Sequence, residues 1–358
     1  MPEMSNDFLG TKPVDARQQF DLARLEQYLS KNVAGFRGPL SIEQFKGGQS
    51  NPTYLLITPQ QNYVLRRKPP GKLLPSAHAV DREYRVITAL QGSAVPVAKT
   101  WCLCEDDSVI GTAFYVMDCV PGRVFWEGTL PGLAPAERKA IYADMNRVIA
   151  VLHKVDINKV GLQDYGKPGT YFERQIARWT KQYRASETET IDAVDRLIQW
   201  LPAHIPPGDE TAIVHGDYRL DNLIFHPSEP RVVAVLDWEL STLGHPLADF
   251  SYHCMTWHLQ PGAFRGIAGK DLAGSGIPSQ AEHVAAYCRA TGREEIDSRH
   301  WDFYMAYNLF RAAAILQGIT GRVKDGTAAS PHAVQAGRAA RGVAEVGWRQ
   351  VEQFLSRR

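Results

Sequence analysis

Two stretches carry residues whose types and spacing could do chemistry. In His215-Gly216-Asp217-Tyr218-Arg219-Leu220-Asp221-Asn222 an aspartate stands five positions ahead of an asparagine, and fifteen residues beyond Asn222 a second aspartate follows in Leu236-Asp237-Trp238-Glu239. This is the spacing of a phosphoryl-transfer loop, where the first aspartate takes the proton of an attacking hydroxyl while the asparagine and the downstream aspartate hold magnesium against nucleotide phosphates. A loop of that length turns one side chain toward the acceptor and the other toward the metal. Mg2+ is a hard cation that keeps several waters, so two protein oxygens beside the phosphates are enough. The expectation is Asp217 as general base and Asn222 and Asp237 as metal ligands, with Asp237 on the far strand of a hairpin. Taken singly, either aspartate would more ordinarily be a turn or capping residue.

These side chains need elements to position them. Residues 14–33 repeat apolar positions at helical spacing (Phe20, Leu22, Leu25, Leu29) behind Asp15 as a cap, which predicts an opening amphipathic helix. Ser41–Lys46, Thr53–Ile57 and Tyr63–Arg67 read as strands separated by Gly47-Gly48 and a polar turn. Ala77–Leu90 returns to helical period, and two more strands follow at Val97–Cys104 and Thr112–Val120, joined by a turn at Glu105–Asp107. The reading is a five-stranded antiparallel sheet with one long helix inserted after the third strand.

Beyond Pro121-Gly122 helical periodicity dominates, over Pro135–Val155, Tyr171–Arg184, Glu187–Leu201, Ser279–Thr291, Arg299–Arg322 and Pro331–Leu355. A hairpin of Leu223–Phe225 and Val232–Leu236 interrupts them, and the glycine-rich span Pro261–Pro278 is long enough to be a functional loop. The expected division is residues 1–120, carrying the sheet and the nucleotide site, and residues 121–358, carrying the catalytic loop and the acceptor site. In the first part Gly47, Gly48, Gln49, Ser50 and Asn51 lie between two strands, where small residues let backbone N–H groups approach phosphate oxygens; a plain hairpin is the alternative.

Composition excludes other classes. The chain has 44% hydrophobic and 22% charged residues, and 40 Lys and Arg stand against 39 Asp and Glu. A net charge of +1 gives no electrostatic footprint for nucleic acid or an anionic membrane. No apolar run approaches a membrane span, and Met1–Asp21 lacks an apolar signal core, so a cytoplasmic location is expected. Five scattered cysteines fit reduced thiols. Cys102 and Cys104 read as half-buried strand residues rather than metal ligands.

HGDYRLDN with LDWE resembles the aminoglycoside phosphotransferase family of kinase-like enzymes, which includes choline and homoserine kinases. GGQSNPTYLL, VLRRKPPGKLLPSAHAVDREYRV and LDWELSTLGHPLADFSY are similar to the phosphotransferase domains related to those fused to some acyl-CoA dehydrogenases. The resemblance runs from about Phe45 to the C-terminal helices. It implies an α+β, bilobal protein-kinase-like fold, with a small antiparallel β-sheet N-lobe and a mainly helical C-lobe, Mg-ATP as donor and a small-molecule hydroxyl as acceptor. It casts His215 as a scaffold for the loop. Asp221 becomes either a brace of the loop or a group behind the metal ligands, and Asp249 a hydrogen-bond partner of the loop backbone, with a helix cap as the other reading. Arg66, Arg67 or Lys68 supplies the phosphate cation, and aligning VLR with the usual apolar-x-Lys pattern selects Arg66, paired with Glu83 on the next helix. Arginine here departs from the protein-kinase pattern and is similar to choline-kinase-like relatives; a guanidinium still binds phosphate bidentately. Adenine is expected against Tyr115–Val120, including Met117, with backbone groups of Asp118 and Val120 bonding it.

The acceptor is the least legible part. From Pro246 onward 13 Lys and Arg face 10 Asp and Glu, which disfavours a polycationic antibiotic. Relatives are associated with hydroxyacyl-CoA phosphorylation, and Arg265, Lys270, Arg311, Arg322 and Lys324 could meet CoA phosphates or simply form a solvated face. The alternative to a kinase is a nucleotide-binding regulator without transfer, for which Arg66 is the only sequence argument.

Overall fold

The computed structural model describes residues 10–46, 51–69, 79–261, 265–324 and 337–357. The chain divides into two compact units, Met1–Arg123 with Val233–Glu239, and Val124–Val232 with Leu240–Arg358.

The first unit is built on an antiparallel sheet of β1 (Thr11–Lys12), β2 (Ser41–Phe45), β3 (Thr53–Ile57), β4 (Asn62–Arg67), β5 (Thr100–Cys104) and β6 (Phe114–Asp118) in the order β1-β2-β3-β4-β6-β5. It has one strand more than expected, because β1 is too short to show a period. The predicted opening helix is broken. A 3-10 turn at Ala16–Gln18 is followed by α1 (Leu22–Asn32), capped by Asp21 accepting from the Arg24 amide rather than by Asp15. The Gln18 carbonyl accepts from Arg67 Nη2 at 2.9 Å and from the Tyr54 hydroxyl at 3.2 Å, which draws it out of a helical ladder. α2 (Val80–Leu90) follows β4. The expected Glu105–Asp107 turn opens instead into α3 (Asp107–Ile110), because the Asp106 carboxylate caps it through the Ser108 amide.

Strand alternation decides which side chains meet. Tyr54, Leu56, Tyr63, Leu65, Phe114 and Val116 share a core with Leu25 and Leu29 of α1. The intervening residues point to the other face, where Arg66 stands directly opposite Tyr115 in the β4–β6 register. Cys102 and Cys104 belong to the core and are fully buried, not half-buried, and all five cysteines are free.

The second unit contains α4 (Pro135–His153), α5 (Tyr171–Ala185), α6 (Asp192–Trp200), α7 (Pro246–Cys254), α8 (Gln280–Thr291), α9 (Ser298–Lys324) and α10 (Ala340–Ser356). α9 packs against α5, α7 and α10; it is apolar nearly all round over Phe303–Leu316, as a central helix must be. α6 begins later than periodicity suggested because residues 188–190 hold other helices: Gln317 donates to Thr188 Oγ1 at 2.7 Å and Arg341 to the Thr190 carbonyl at 3.2 Å. Two short strands escaped notice, β7 (Ala212–Val214) and β10 (Thr242–Gly244), which pair antiparallel. β8 (Leu223–Phe225) and β9 (Val232–Val235) are separated by a turn closed by the His226 amide on the Arg231 carbonyl at 2.7 Å. Asp237 is not on the strand: it follows β9 in the left-handed region with φ 62°. Of the glycine-rich span, the described part is fastened down, with the Ala268 amide on the Leu259 carbonyl at 3.0 Å. A Cβ on Gly266 would sit 1.9 Å from that same carbonyl. Among the described residues no helix is long and apolar enough to cross a membrane, and no group of three acidic, histidine or cysteine residues is placed to hold a metal by itself.

Candidate active site

β7 delivers the chain into the His215–Asn222 loop, and α7 holds the loop by its backbone. Asp249 Oδ2 accepts the His215 amide at 2.7 Å and Oδ1 accepts the Gly216 amide at 2.8 Å. Gly216 has φ 82°, and a Cβ there would meet the Leu240 carbonyl at 2.7 Å, so only glycine fits. Asp249 is fully buried, and burial alone would raise its pKa; the His153 ring at 3.2 Å and the loop amides outweigh this and hold it below the usual carboxylate range. The helix-cap reading of Asp249 is wrong, since His245 Nδ1 caps α7 by accepting the Leu247 amide at 3.2 Å. His215 is the scaffold expected: its Nδ1 accepts the Asp217 amide at 3.1 Å.

The Asp217 carboxylate is held on both oxygens. Asn222 Nδ2 donates to Oδ2 at 3.1 Å and to the Asp217 carbonyl at 2.8 Å. The Tyr252 hydroxyl donates to Oδ1 at 2.6 Å. Arg219 Nε lies 3.1 Å from Oδ1 as an ion pair. With the Asn222 amino group turned to Asp217, its Oδ1 remains as a hard oxygen suited to a cation. Asp221 is a brace: its buried carboxylate would be raised by desolvation, but Arg219 at 3.4 Å and Arg265 at 2.9 Å lower it.

Two cations expected at CoA phosphates are therefore engaged elsewhere. Arg265 pairs with Asp221 and covers the Trp126 ring at 4.7 Å. Arg311 is buried, donates to the Gly216 carbonyl, and lies over Tyr252 at 4.7 Å and Trp179 at 5.4 Å. Lys270 and Arg322 are exposed; the Lys324 side chain lies outside the described residues. Beside the loop a cavity of about 20 Å3 is lined by Arg219, Tyr252, His253, Arg265 and their neighbours, large enough for one water.

The first unit gathers the other candidates. Arg66 Nε lies 2.8 Å from Glu83 Oε2, and Nη2 lies 2.6 Å from Asp237 Oδ1 and 3.6 Å from Glu239. Burial works against the Arg66 charge, but Asp237 and Glu83 more than compensate and raise its pKa. Glu83 is raised, because desolvation exceeds the lowering by Arg66. Asn51 is fully buried and donates to Glu83 Oε1 at 2.7 Å, so its side chain orients the ion pair rather than facing a phosphate. Tyr115 donates to Glu83 Oε2 at 3.1 Å. Of the other two cations, Arg67 points into the opposite core, bonding Tyr54 at 3.1 Å, and Lys68 lies 3.8 Å from Asp81. Gly47, Gly48, Gln49 and Ser50 lie outside the described residues. Met117 and Asp118 end β6 and Val120 follows it; the Asp118 amide bonds the Lys99 carbonyl at 2.8 Å.

Sequence reasoning missed Tyr252, and it offered Arg311 to CoA phosphates rather than to the loop backbone. Tyr252 was within reach, three residues beyond Asp249 on one helix face; nothing in the local sequence marked Arg311 as a partner of the loop.

A family model described as the phosphotransferase enzyme family matches residues 41–283. The chain is 48% identical over 343 residues to mouse acyl-CoA dehydrogenase family member 10, covering 94% of this chain and 32% of that protein. It thus spans about a third of the length of that relative. A crystal structure from Ralstonia eutropha JMP134, assigned to the aminoglycoside phosphotransferases, is 59% identical and superposes with a TM-score of 0.85, covering 94% of this chain and 99% of that one. A thermostable variant of aminoglycoside phosphotransferase APH(4)-Ia, held with ADP and hygromycin B, shares the fold at 14% identity and a TM-score of 0.59, covering 91% of this chain and 98% of that one.

Proposed function

Because the chain belongs to the phosphotransferase enzyme family, a family of small-molecule phosphotransferases, we propose that it moves the γ-phosphoryl group of ATP to a hydroxyl of a small metabolite in a magnesium-dependent reaction. The observation that carries this reading is the Asn222–Asp217 pair: one amide group fixes both the backbone and the carboxylate of the aspartate that must meet the acceptor. The acceptor oxygen attacks the γ-phosphorus, the bond to the ADP oxygen breaks, and the hydroxyl proton passes to the Asp217 carboxylate.

Asn222 Oδ1 and the Asp237 carboxylate are the oxygens that would hold the metal, and the donor set suits a hard cation that keeps its waters. Magnesium, when bound, neutralises charge on the phosphate oxygens. Arg66, held by Glu83, adds a fixed guanidinium for the same charge. Met117, the Asp118 carbonyl and Val120 would border the adenine, and Gly47–Ser50 would approach the phosphates.

For the acceptor, a hydroxyacyl-CoA-like metabolite is the first candidate. Kinship to an acyl-CoA dehydrogenase family member supports it, as does the cationic balance after Pro246. With Arg265 and Arg311 engaged at the loop, Lys270 is the candidate for an anionic tail. The test is coupled ADP release from Mg-ATP against hydroxyacyl-CoAs, amino alcohols, sugars and aminoglycosides, with Asp217→Asn as blank. Stimulation by one class, abolished in Asp217→Asn, supports the reading and names the acceptor. Tight Mg-ATP binding with no stimulation anywhere transfers the weight to a nucleotide-binding regulator.

A further inference from the structure

α7 is nine residues long, yet it touches the loop twice from one face. Asp249 accepts two loop amides, and Tyr252, one helical turn on, reaches the Asp217 carboxylate itself. A buried phenol needs a partner for its hydroxyl, and any backbone carbonyl would satisfy it. This one donates to the most functionally exposed carboxylate of the loop, 2.6 Å from Oδ1, while Asn222 donates to Oδ2 at 3.1 Å.

A carboxylate with a donor on each oxygen cannot turn about its Cβ–Cγ bond without breaking one bond or the other. The remaining lone pairs are thereby aimed in fixed directions. Tyr252 is itself immobilised, since it is only 3% exposed and the Arg311 guanidinium lies 4.7 Å over its ring while donating to the Gly216 carbonyl. α9 therefore reaches the loop through the same ring that α7 presents. Burial and the neighbouring Asp217 charge push the Tyr252 hydroxyl far above its ordinary pKa, so it stays a donor throughout the working pH range.

Resting on the reading of Asp217 as general base, we propose that Tyr252 is a positioning residue that fixes the rotation of the Asp217 carboxylate. One consequence separates this from a structural role. Loss of the hydroxyl leaves Oδ1 with the Arg219 ion pair at 3.1 Å, which holds the charge but not the direction of the oxygen, so kcat falls while ATP binding is kept.

The experiment measures kcat and KM for ATP from ADP release, with 3-hydroxybutyryl-CoA as acceptor and with water alone, in wild type, Tyr252→Phe and Asp217→Asn. A thermal-melt double-mutant cycle between the two positions accompanies it. The expected result for Tyr252→Phe is a kcat lower by about 10- to 100-fold, the range of one hydrogen bond to a charged group, with KM for ATP changed less than about twofold. The double variant melts higher than additivity allows. Wild-type kcat in Tyr252→Phe, beside an inactive Asp217→Asn, overturns the proposal alone. An Asp217→Asn enzyme that turns over like wild type removes the base reading beneath it. If neither acceptor is phosphorylated by wild type, the melting cycle decides, and additive losses overturn the proposal.

Discussion

Arg66 Nη2 lies 2.6 Å from Asp237 Oδ1, so the cation expected at the phosphates and the aspartate expected at the metal are already joined. The same guanidinium holds Glu83 through Nε, and Glu239 is the third carboxylate around it. One positive charge among three negative ones leaves a surplus of carboxylate that suits a divalent cation. It also explains why arginine serves here: a planar fork can face two carboxylates at once, which an ammonium on a flexible stem does less well.

Replacing that fork tests the arrangement. Arg66→Met leaves Glu83, 1% exposed, as an uncompensated buried carboxylate, and should cost about 3 to 5 kcal/mol in urea unfolding. Adding Glu83→Gln should recover much of the loss. Arg66→Lys keeps the charge and should fold, yet lose roughly tenfold or more in ADP release because one ammonium cannot reach both partners. A lysine variant with wild-type turnover would show that charge alone is needed.

Asp249 allows a sharper substitution. Both of its oxygens accept loop amides, and the His153 ring lies 3.2 Å from Oδ2. In Asp249→Asn the new amino group must face an N–H, leaving a buried donor opposed to a donor, at a cost of about 1 to 3 kcal/mol for the unsatisfied group. Because the displaced amides belong to the loop bearing Asp217, turnover should fall by about a hundredfold, as for other small misplacements of a catalytic group. Circular-dichroism melting and ADP release on one sample separate the two effects.

What the sequence made legible follows the range of each interaction. Asp217 and Asn222 sit in one loop whose spacing is its geometry, and Arg66 and Glu83 were found because VLR aligns with the apolar-x-Lys pattern of kinase-like enzymes and the next helix carries a glutamate. Tyr252 and Arg311 act on residues 35 and 95 positions away, and local pattern carries no trace of such pairings. The left-handed backbone at Asp237 was hidden for a related reason, since its carboxylate is drawn to Arg66, 171 positions earlier. At the other end of the scale, β1, β7 and β10 have two or three residues each, too few to display a period of two.

Gly216→Ala probes the loop from its backbone. The residue combines φ 82° with a Cβ position 2.7 Å from the Leu240 carbonyl. A backbone oxygen cannot move aside as a side chain can, so the loop must shift. The expected outcome is a melting temperature several degrees lower, equivalent to roughly 1 to 3 kcal/mol, and loss of most ADP release. Full activity in Gly216→Ala would show that the loop tolerates displacement and that its tight fastening serves stability alone.

The buried histidines of the second unit set the acid side of the stability curve. Burial pushes His253 down to about 4, and His245 also to about 4, against an ordinary value near 6.5. The His253 and His283 rings meet through their Nε2 atoms at 3.1 Å, an arrangement that requires at least one neutral ring. Below pH 6.5 the unfolded chain takes up protons that the native chain refuses, so stability must fall as pH drops from about 6.5 toward 4, and the histidine contribution to the slope levels off below that. Each such histidine contributes at most about 1.4 kcal/mol per pH unit inside the window. Urea unfolding at pH 7, 6 and 5 should therefore show a steep decline, and His253→Gln should make it shallower while leaving the pH 7 value less affected than the pH 5 value. A decline of equal steepness in His253→Gln would mean that the ring is already protonated in the native protein, and the neutral pairing with His283 would then be wrong.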